Sequence, residues 1–421
     1  MKVNRAVFIT AVIIIISGVS FSQTNQAANR HWRADSVTTF PGAGSYEPFS
    51  LHKSSSDSAI PAQEGWPVKV GRWPFHPVAA DLDHDGQKEV IIADRGPHNA
   101  YLHVFRHNGE YFSDAWPIRI GSDMCSPAVA DIDGDGNLEI VIVERLDLYA
   151  YYFPKGRVHV LNADGTSVPG WPFRLEGSHN WKNAPSIGDL NNDGRLNIVT
   201  ATGTGHSAND TITYFNKIYA FNNDGTLLDG WPVDPDTVSG IVIRPRSTPV
   251  LVDLDGDSCL EIIYGCMNLY DSYGYDHNPL LVLRHDGTHQ PGGFFPLGTE
   301  YWNYAIAAAD MNGDGEYEIY THGKRYGPNG WRDLYWQEQY SVSSHLTFAD
   351  LTDDGLPELI YGTNHNGGIM GGLRAVDQHG EIIPGWPVYT RNQEGDLIDS
   401  NPIAGDIDGD GLLDFVFGSR A

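Results

Sequence analysis

The sequence predicts an all-β fold built from one four-stranded unit used seven times. Three observations lead there. An acidic loop opening on Asp recurs seven times, each copy running into a short apolar run. A tight-turn motif that ends near Trp-Pro recurs between the acidic loops. Gly and Pro number 47 and 25 in 421 residues while charged residues make up 19%, the composition of short strands joined by turns.

The chain begins with Lys2 and Arg5 ahead of the apolar run AVFITAVIIIISGVSF, and Ser20 and Ser22 precede Gln23. This is the pattern of a secretory signal peptide over residues 1–22, so the mature chain is expected to be secreted or displayed at the cell surface. An uncleaved anchor is the other reading of this run. No later segment is apolar enough for a helix to span a membrane. Residues 23–46 read as a linker, and 47–421 as the repeat region.

The acidic copies are DLDHDGQKEV from Asp81, DIDGDGNLEI from Asp131, DLNNDGRLNI from Asp189 and DLDGDSCLEI from Asp253. DMNGDGEYEI from Asp310, DLTDDGLPEL from Asp350 and DIDGDGLLDF from Asp406 complete the set. Their starts are separated by 50, 58, 64, 57, 40 and 56 residues. Runs such as SPAVA precede each loop and runs such as IVIVE follow it, both strand-like in length and content, so the loop joins strands a and b of a hairpin. Between the acidic loops, VLNADGTSVPGWP and AFNNDGTLLDGWP place an apolar strand, an Asp-Gly turn and a second strand near Trp-Pro. Asx-Gly supplies the positive φ that a tight hairpin needs, which gives strands c and d. Trp66, Trp116, Trp171, Trp231 and Trp386 recur at this place and read as packing between units.

Seven four-stranded antiparallel units of this length predict a seven-bladed β-propeller. The last acidic loop is followed only by a strand b, whereas GWPVKVG at 65–71 is an unmatched strand d and PFSLHKS at 48–54 a plausible c. Joining these to 402–418 would close the ring with one blade shared by the two termini and leave no open sheet edge. The rival reading is a longer chain cut after Ala421.

The acidic loops place carboxylates or amides at positions 1, 3 and 5, with Thr352 the exception, most often a Gly at 6 and most often an acid at 9. Oxygen donors at this density suit Ca²⁺, which takes six to eight hard ligands, and the soft ligands of zinc or copper are missing from the loops. An EF-hand shares the opening but needs Glu at position 12 between two helices; here position 12 is Ile92 or Ile142 and the flanks are strands. Solvated turns that bind nothing are disfavoured, because crowded carboxylates repel one another without a cation. Acids at positions 1, 3, 5 and 9 account for 24 of the 54 in the chain. Seven calcium ions would bring the formal charge from −27 to about −13. This acidity argues against nucleic acid as a partner.

These loops and their spacing resemble those of the FG-GAP/VCBS repeat proteins, whose propeller is similar to the N-terminal domain of integrin α chains. The resemblance covers about residues 47–418 and implies the fold and up to seven calcium sites. It implies as ligands Asp81, Asp83, Asp85 and Glu89; Asp131, Asp133, Asp135 and Glu139; Asp189, Asn191 and Asp193; and Asp253, Asp255, Asp257 and Glu261. In the last three loops it implies Asp310, Asn312, Asp314 and Glu318; Asp350, Asp354 and Glu358; and Asp406, Asp408, Asp410 and Asp414. Asn197, Ser258 and Thr352 depart from the pattern, and the Asp189 loop, with two carboxylates, is expected to be the weakest site. The resemblance also implies that ligands use the face opposite the calcium loops.

That opposite face is rich in Tyr, Trp, His, Asn and Arg, side chains that stack on and hydrogen-bond to sugars or peptides. Candidate ligand-binding residues are His76, Trp181, Arg246, Trp302 and His345. Five residues before the loops stand His76, Ser126, Ala184, Thr248, Ala305, His345 and Asn401, which should start the innermost strands near a wet central channel. No nucleophile elbow, phosphate-binding loop or zinc signature occurs, and no catalytic set is identified. The three cysteines predict no disulfide framework, since Cys259 and Cys266 lie at opposite ends of one strand. The expected function is that of a monomeric, exported calcium-binding module that binds a carbohydrate or protein ligand in adhesion. Two alternatives stay open, a polysaccharide lyase-like enzyme on a calcium-bearing propeller and a purely structural surface module.

Overall fold

The computed structural model describes residues 12–13, 68–71, 73–95, 99–145, 155–177, 184–208, 211–235, 243–268 and 279–296. It continues over 306–321, 324–327, 332–335, 342–352, 354–363 and 372–386, with short stretches at 388–389, 397–398, 403–405, 414–416 and 419–420. The architecture is all-β, a succession of small antiparallel sheets. No helix among the described residues is long and apolar enough to cross a membrane.

The repeated sheets are laid down in chain order, each around an acidic hairpin. In the first, Glu89–Arg95 pairs with Val78–Ala80 and Trp73–Pro74 on one side and with Ala100–Phe105 on the other, and Ile118–Arg119 forms the outer edge. The second repeats the plan, with Glu139–Arg145 between Ala128–Ala130 and Lys155–Leu161, and Phe173–Glu176 outermost. Ser186–Gly188, Asn197–Ala208 and Thr211–Phe221 make the third. The fourth centres on Glu261–Asn268, the fifth on Glu318–Thr321 and the sixth on Glu358–Thr363. Ile403–Gly405 pairs with Asp414–Val416 as the hairpin of a seventh unit. The first strands of these seven hairpins lie side by side in chain order, from Val78–Ala80 to Ile403–Gly405. Val68–Lys69 pairs with Val12–Ile13; its expected partner at 48–54 lies outside the described residues.

The b strands read as continuous apolar runs because both faces are buried. In the third sheet Ile198 joins the core shared with the second, while Val199 and Ala201 join the core shared with the fourth. In the fourth, Ile262 and Tyr264 face back and Ile263 faces forward; in the fifth, Ile319 faces back and Tyr320 forward. The period-2 alternation of a strand thus divides each run between two neighbours.

The recurring tryptophans fasten these interfaces. Trp116, Trp171 and Trp231 are buried, and each indole Nε1 donates to a backbone oxygen in the c–d turn of the next sheet: Ala163 at 3.1 Å, Asn223 at 3.3 Å and His285 at 3.0 Å. Side-chain size is limited there, because a Cβ at Gly170 or Gly230 would collide with the carbonyl of Asp224 or Asp286 in the same turn. The fifth unit lacks the Trp-Pro motif, and Arg325 Nη1 donates to Gln378 O at 3.1 Å at the equivalent place. Cys125, Cys259 and Cys266 are all free thiols.

Candidate metal centres

The acidic loops share one backbone geometry built on their first aspartate. Asp81 Oδ1 accepts the N–H of Asp85 at 3.1 Å and Oδ2 that of Gly86 at 3.0 Å. The same pair of bonds recurs at Asp131, Asp189 and Asp310. At Asp253 the oxygens accept from Gly256 and Ser258. Position 5 then closes a two-residue turn: Asp85, Asp135, Asp193, Asp257, Asp314 and Asp354 each accept the N–H of position 7 through Oδ1. Holding the carboxylates this way requires left-handed backbone at two places. Position 6 has positive φ at Gly86, Gly136, Gly194, Ser258, Gly315 and Gly355, and position 4 has it at His84, Gly134, Asn192, Gly256 and Gly313. The second requirement is hidden in the sequence, because His84 and Asn192 meet it without being glycine.

Position 9 opens strand b, and Glu89, Glu139, Asn197, Glu261, Glu318 and Glu358 are all buried there. One of its oxygens accepts the N–H of position 2, as in Leu82 to Glu89 Oε2 at 2.9 Å, Ile132 to Glu139 at 2.7 Å and Leu254 to Glu261 at 2.8 Å. Asn197 keeps this bond through its amide oxygen, which accepts from Leu190 at 3.0 Å. The departure at this position therefore removes a charge and leaves the loop shape intact. The other oxygen of Glu89, Oε1, is buried without a hydrogen-bond partner among the described residues. Burial, opposed by the backbone bond and reinforced by the nearby aspartates, pushes the carboxyls of Glu89, Glu139 and Glu261 up to about 7. Glu318 and Glu358 are raised by burial in the same way.

Among the described residues, three loops bring three carboxylates together, with carboxylate oxygens within 4.8 Å of one another: Asp81, Asp83 and Asp85; Asp131, Asp133 and Glu139; Asp253, Asp255 and Glu261. These clusters could hold a metal ion, and they fit a hard cation: every donor is an oxygen, and a buried oxygen of Glu89 lacks a partner. Where position 3 is not an acid, the loop bonds to itself. Asn312 Nδ2 donates to both Asp314 and Glu318 Oε1 at 2.9 Å, and Thr352 Oγ1 donates to Glu358 Oε1 at 3.2 Å. Asn191 Nδ2 likewise donates to Asp193 at 3.2 Å. Asp406, Asp408 and Asp410 lie outside the described residues; Asp414 opens a strand opposite Gly405.

Of the candidate ligand-face residues, His76, Arg246 and His345 fall within the described residues. Trp181 and Trp302 lie outside the described residues, as do Ala305 and Asn401. His345 lies in the strand Val342–Ala349, at the register shift between Val342 and Leu346. Arg246 follows Ile243–Pro245 in the fourth sheet and donates its backbone N–H to Gly265 O at 2.8 Å. His76 lies between the strands Trp73–Pro74 and Val78–Ala80 of the first sheet, and its backbone N–H donates to Ser126 Oγ at 3.0 Å; Ala184 N–H donates to Thr248 Oγ1 at 3.3 Å. The polar residues at this repeat position thus link neighbouring units, a role the sequence did not disclose. Two acid–histidine pairs also escaped it, His103 Nε2 with Asp94 at 2.9 Å and His159 Nε2 with Glu144 at 2.5 Å. Both acids adjoin a glycine of the preceding unit, Gly71 and Gly121, and so belong to unit interfaces.

Residues 81–142 match the FG-GAP-like repeat, a span that runs from the first ligand position of the first acidic loop into the strand after the second. No curated protein matches the chain significantly. Among solved structures, the exotype rhamnogalacturonan lyase YesX is 16% identical with a TM-score of 0.48, covering 91% of this chain and 75% of that one. The rhamnogalacturonan lyase PL11 of Bacillus licheniformis is 17% identical with a TM-score of 0.45, covering 82% of this chain and 71% of that one. The V. cholerae biofilm matrix protein Bap1 is 13% identical with a TM-score of 0.34, covering 97% and 84% respectively.

Proposed function

We propose that this chain, which carries an FG-GAP-like repeat, is an exported calcium-binding β-propeller of seven blades that binds a carbohydrate or protein ligand on the face opposite its acidic loops. The observation that carries the calcium reading is the pairing of clustered carboxylates with a buried, partnerless oxygen on Glu89. A cation there would offset repulsion that the folded loop otherwise sustains. Calcium would be held by Asp81, Asp83, Asp85 and Glu89 in the first loop, and by the corresponding acids in the loops at Asp131 and Asp253. Once bound, the ion neutralises carboxylates and fixes the loop that begins strand b. The side-by-side order of the seven first strands supports the propeller. The aromatic and amide-rich connections at the other ends of the strands support the binding face.

Chelation tests the metal. Each site saturated a hundredfold above its Kd stabilises the native state by about 2.7 kcal/mol. Excess chelator is therefore expected to lower the melting temperature by several degrees, and an identical melting curve would remove calcium from the proposal. A glycan array combined with pull-downs against surface proteins tests the binding face, and empty results in both would remove that part.

A further inference from the structure

We propose that Arg106 is a resident counter-ion of the first acidic loop, one that positions Asp83 for the cation and keeps the loop in shape when the cation is absent. The proposal rests on the calcium reading above and assigns its regulation at one site. Arg106 Nη1 donates to Asp83 Oδ2 at 3.1 Å, across 23 residues of sequence. The guanidinium is itself fixed, since Nη2 donates to Phe112 O at 3.2 Å and Cζ lies 4.8 Å from the centre of the Phe112 ring. Asp83 therefore has one oxygen held and the other available to a cation. The partnerless, buried Oε1 of Glu89 in the same loop is the independent sign that a cation belongs there.

Comparison across the repeat shows that this contact is particular to the unit. At the matching turn position the second and third units carry Asn162 and Asn222, whose amides turn back to Thr166 and Thr226. Asp133 of the second loop accordingly meets no cationic side chain among the described residues. In the fourth unit Arg284 Nε donates to Gln290 Oε1 at 2.6 Å, and Gln290 Nε2 donates to Asp255 Oδ2 at 3.0 Å, so a neutral amide replaces the charge. The three clusters thus form a series: a cation on Asp83, an amide on Asp255 and no cation on Asp133. Dependence on calcium should rise in that order.

Hydrogen exchange on the full chain, in calcium and in excess chelator, reads the three loops separately. In the wild type, chelation is expected to speed exchange most in 131–139 and least in 81–89. Arg106→Gln is expected to leave 81–89 unchanged in calcium but to speed its exchange about threefold to tenfold in chelator. A variant that loosens 81–89 equally in both conditions would show a packing role alone and overturn the proposal. So would a variant that matches the wild type in chelator while the wild-type loops still respond to calcium. If no wild-type loop responds to chelation, the calcium reading falls and this proposal with it.

Discussion

Ser258 is the one non-glycine at position 6 of the described acidic loops, and its φ of 73° lies in the left-handed region. An L-residue there costs about 1–2 kcal/mol, because Cβ crowds the neighbouring carbonyl. Glycine removes that cost but adds about 0.5–1 kcal/mol of unfolded-chain entropy. Ser258→Gly should therefore stabilise the protein by about 0.5–1 kcal/mol. The bond from the backbone N–H of residue 258 to Asp253 Oδ2, 3.0 Å long, needs no side chain and survives the change. The reciprocal substitution is the control. Gly86 has φ 89°, and a Cβ added to it meets nothing within 4 Å, so Gly86→Ser should destabilise by a similar amount through the backbone alone. Urea titrations of both variants, in calcium and in chelator, measure the two midpoints. Opposite shifts of similar size are expected. Loss of stability in Ser258→Gly would mean that the hydroxyl holds a partner, and the conformational reasoning would be refuted.

The tryptophan fastening gives a second expectation. Trp171 is 7% exposed, donates to Asn223 O and meets the Phe221 ring edge-on at 5.4 Å. Trp171→Ala should cost about 3–5 kcal/mol, and Trp171→Phe about 1 kcal/mol for the hydrogen bond plus a smaller packing loss; a denaturation midpoint that barely moves in the alanine variant would contradict the fastening. Tyr264 is fully buried and its hydroxyl has no partner. Tyr264→Phe should be neutral or stabilising by about 1 kcal/mol, and a loss above that in the same titration would show the hydroxyl to be bonded.

The acidic loops are legible in the sequence because their carboxylates are contiguous: Asp131, Asp133 and Glu139 fall within nine residues, and hydrophobic runs mark the strands on either side. The three clusters arise where position 3 is an acid, a distinction also written locally. Contacts across units were not legible. Nothing near Asp83 in the chain announces Arg106, and nothing near Trp171 announces Asn223, 52 residues on. The recurrence of Trp-Pro signalled packing without its partner. Asn197 departs from the ligand pattern, yet its amide oxygen accepts the same backbone bond as a glutamate oxygen does in the other loops. The polar residues ahead of the loops have a further use that is not written locally: Ser126 and Thr248 accept backbone N–H groups of the preceding unit.

The three indole links and the backbone bonds to Ser126 and Thr248 run in one direction, with the donor on the earlier unit and the acceptor on the later one. A partly synthesised chain therefore ends in a completed sheet that shows unsatisfied donors to the ribosome side, and each emerging unit brings the acceptors. The same polarity makes every such interface heterologous, with unlike surfaces on its two sides. A molecule opened at one interface would expose a donor face and an acceptor face that match those of its own copies. In the proposed ring, sealing the seam between the first and last units is thus what would separate a finite particle from a head-to-tail polymer.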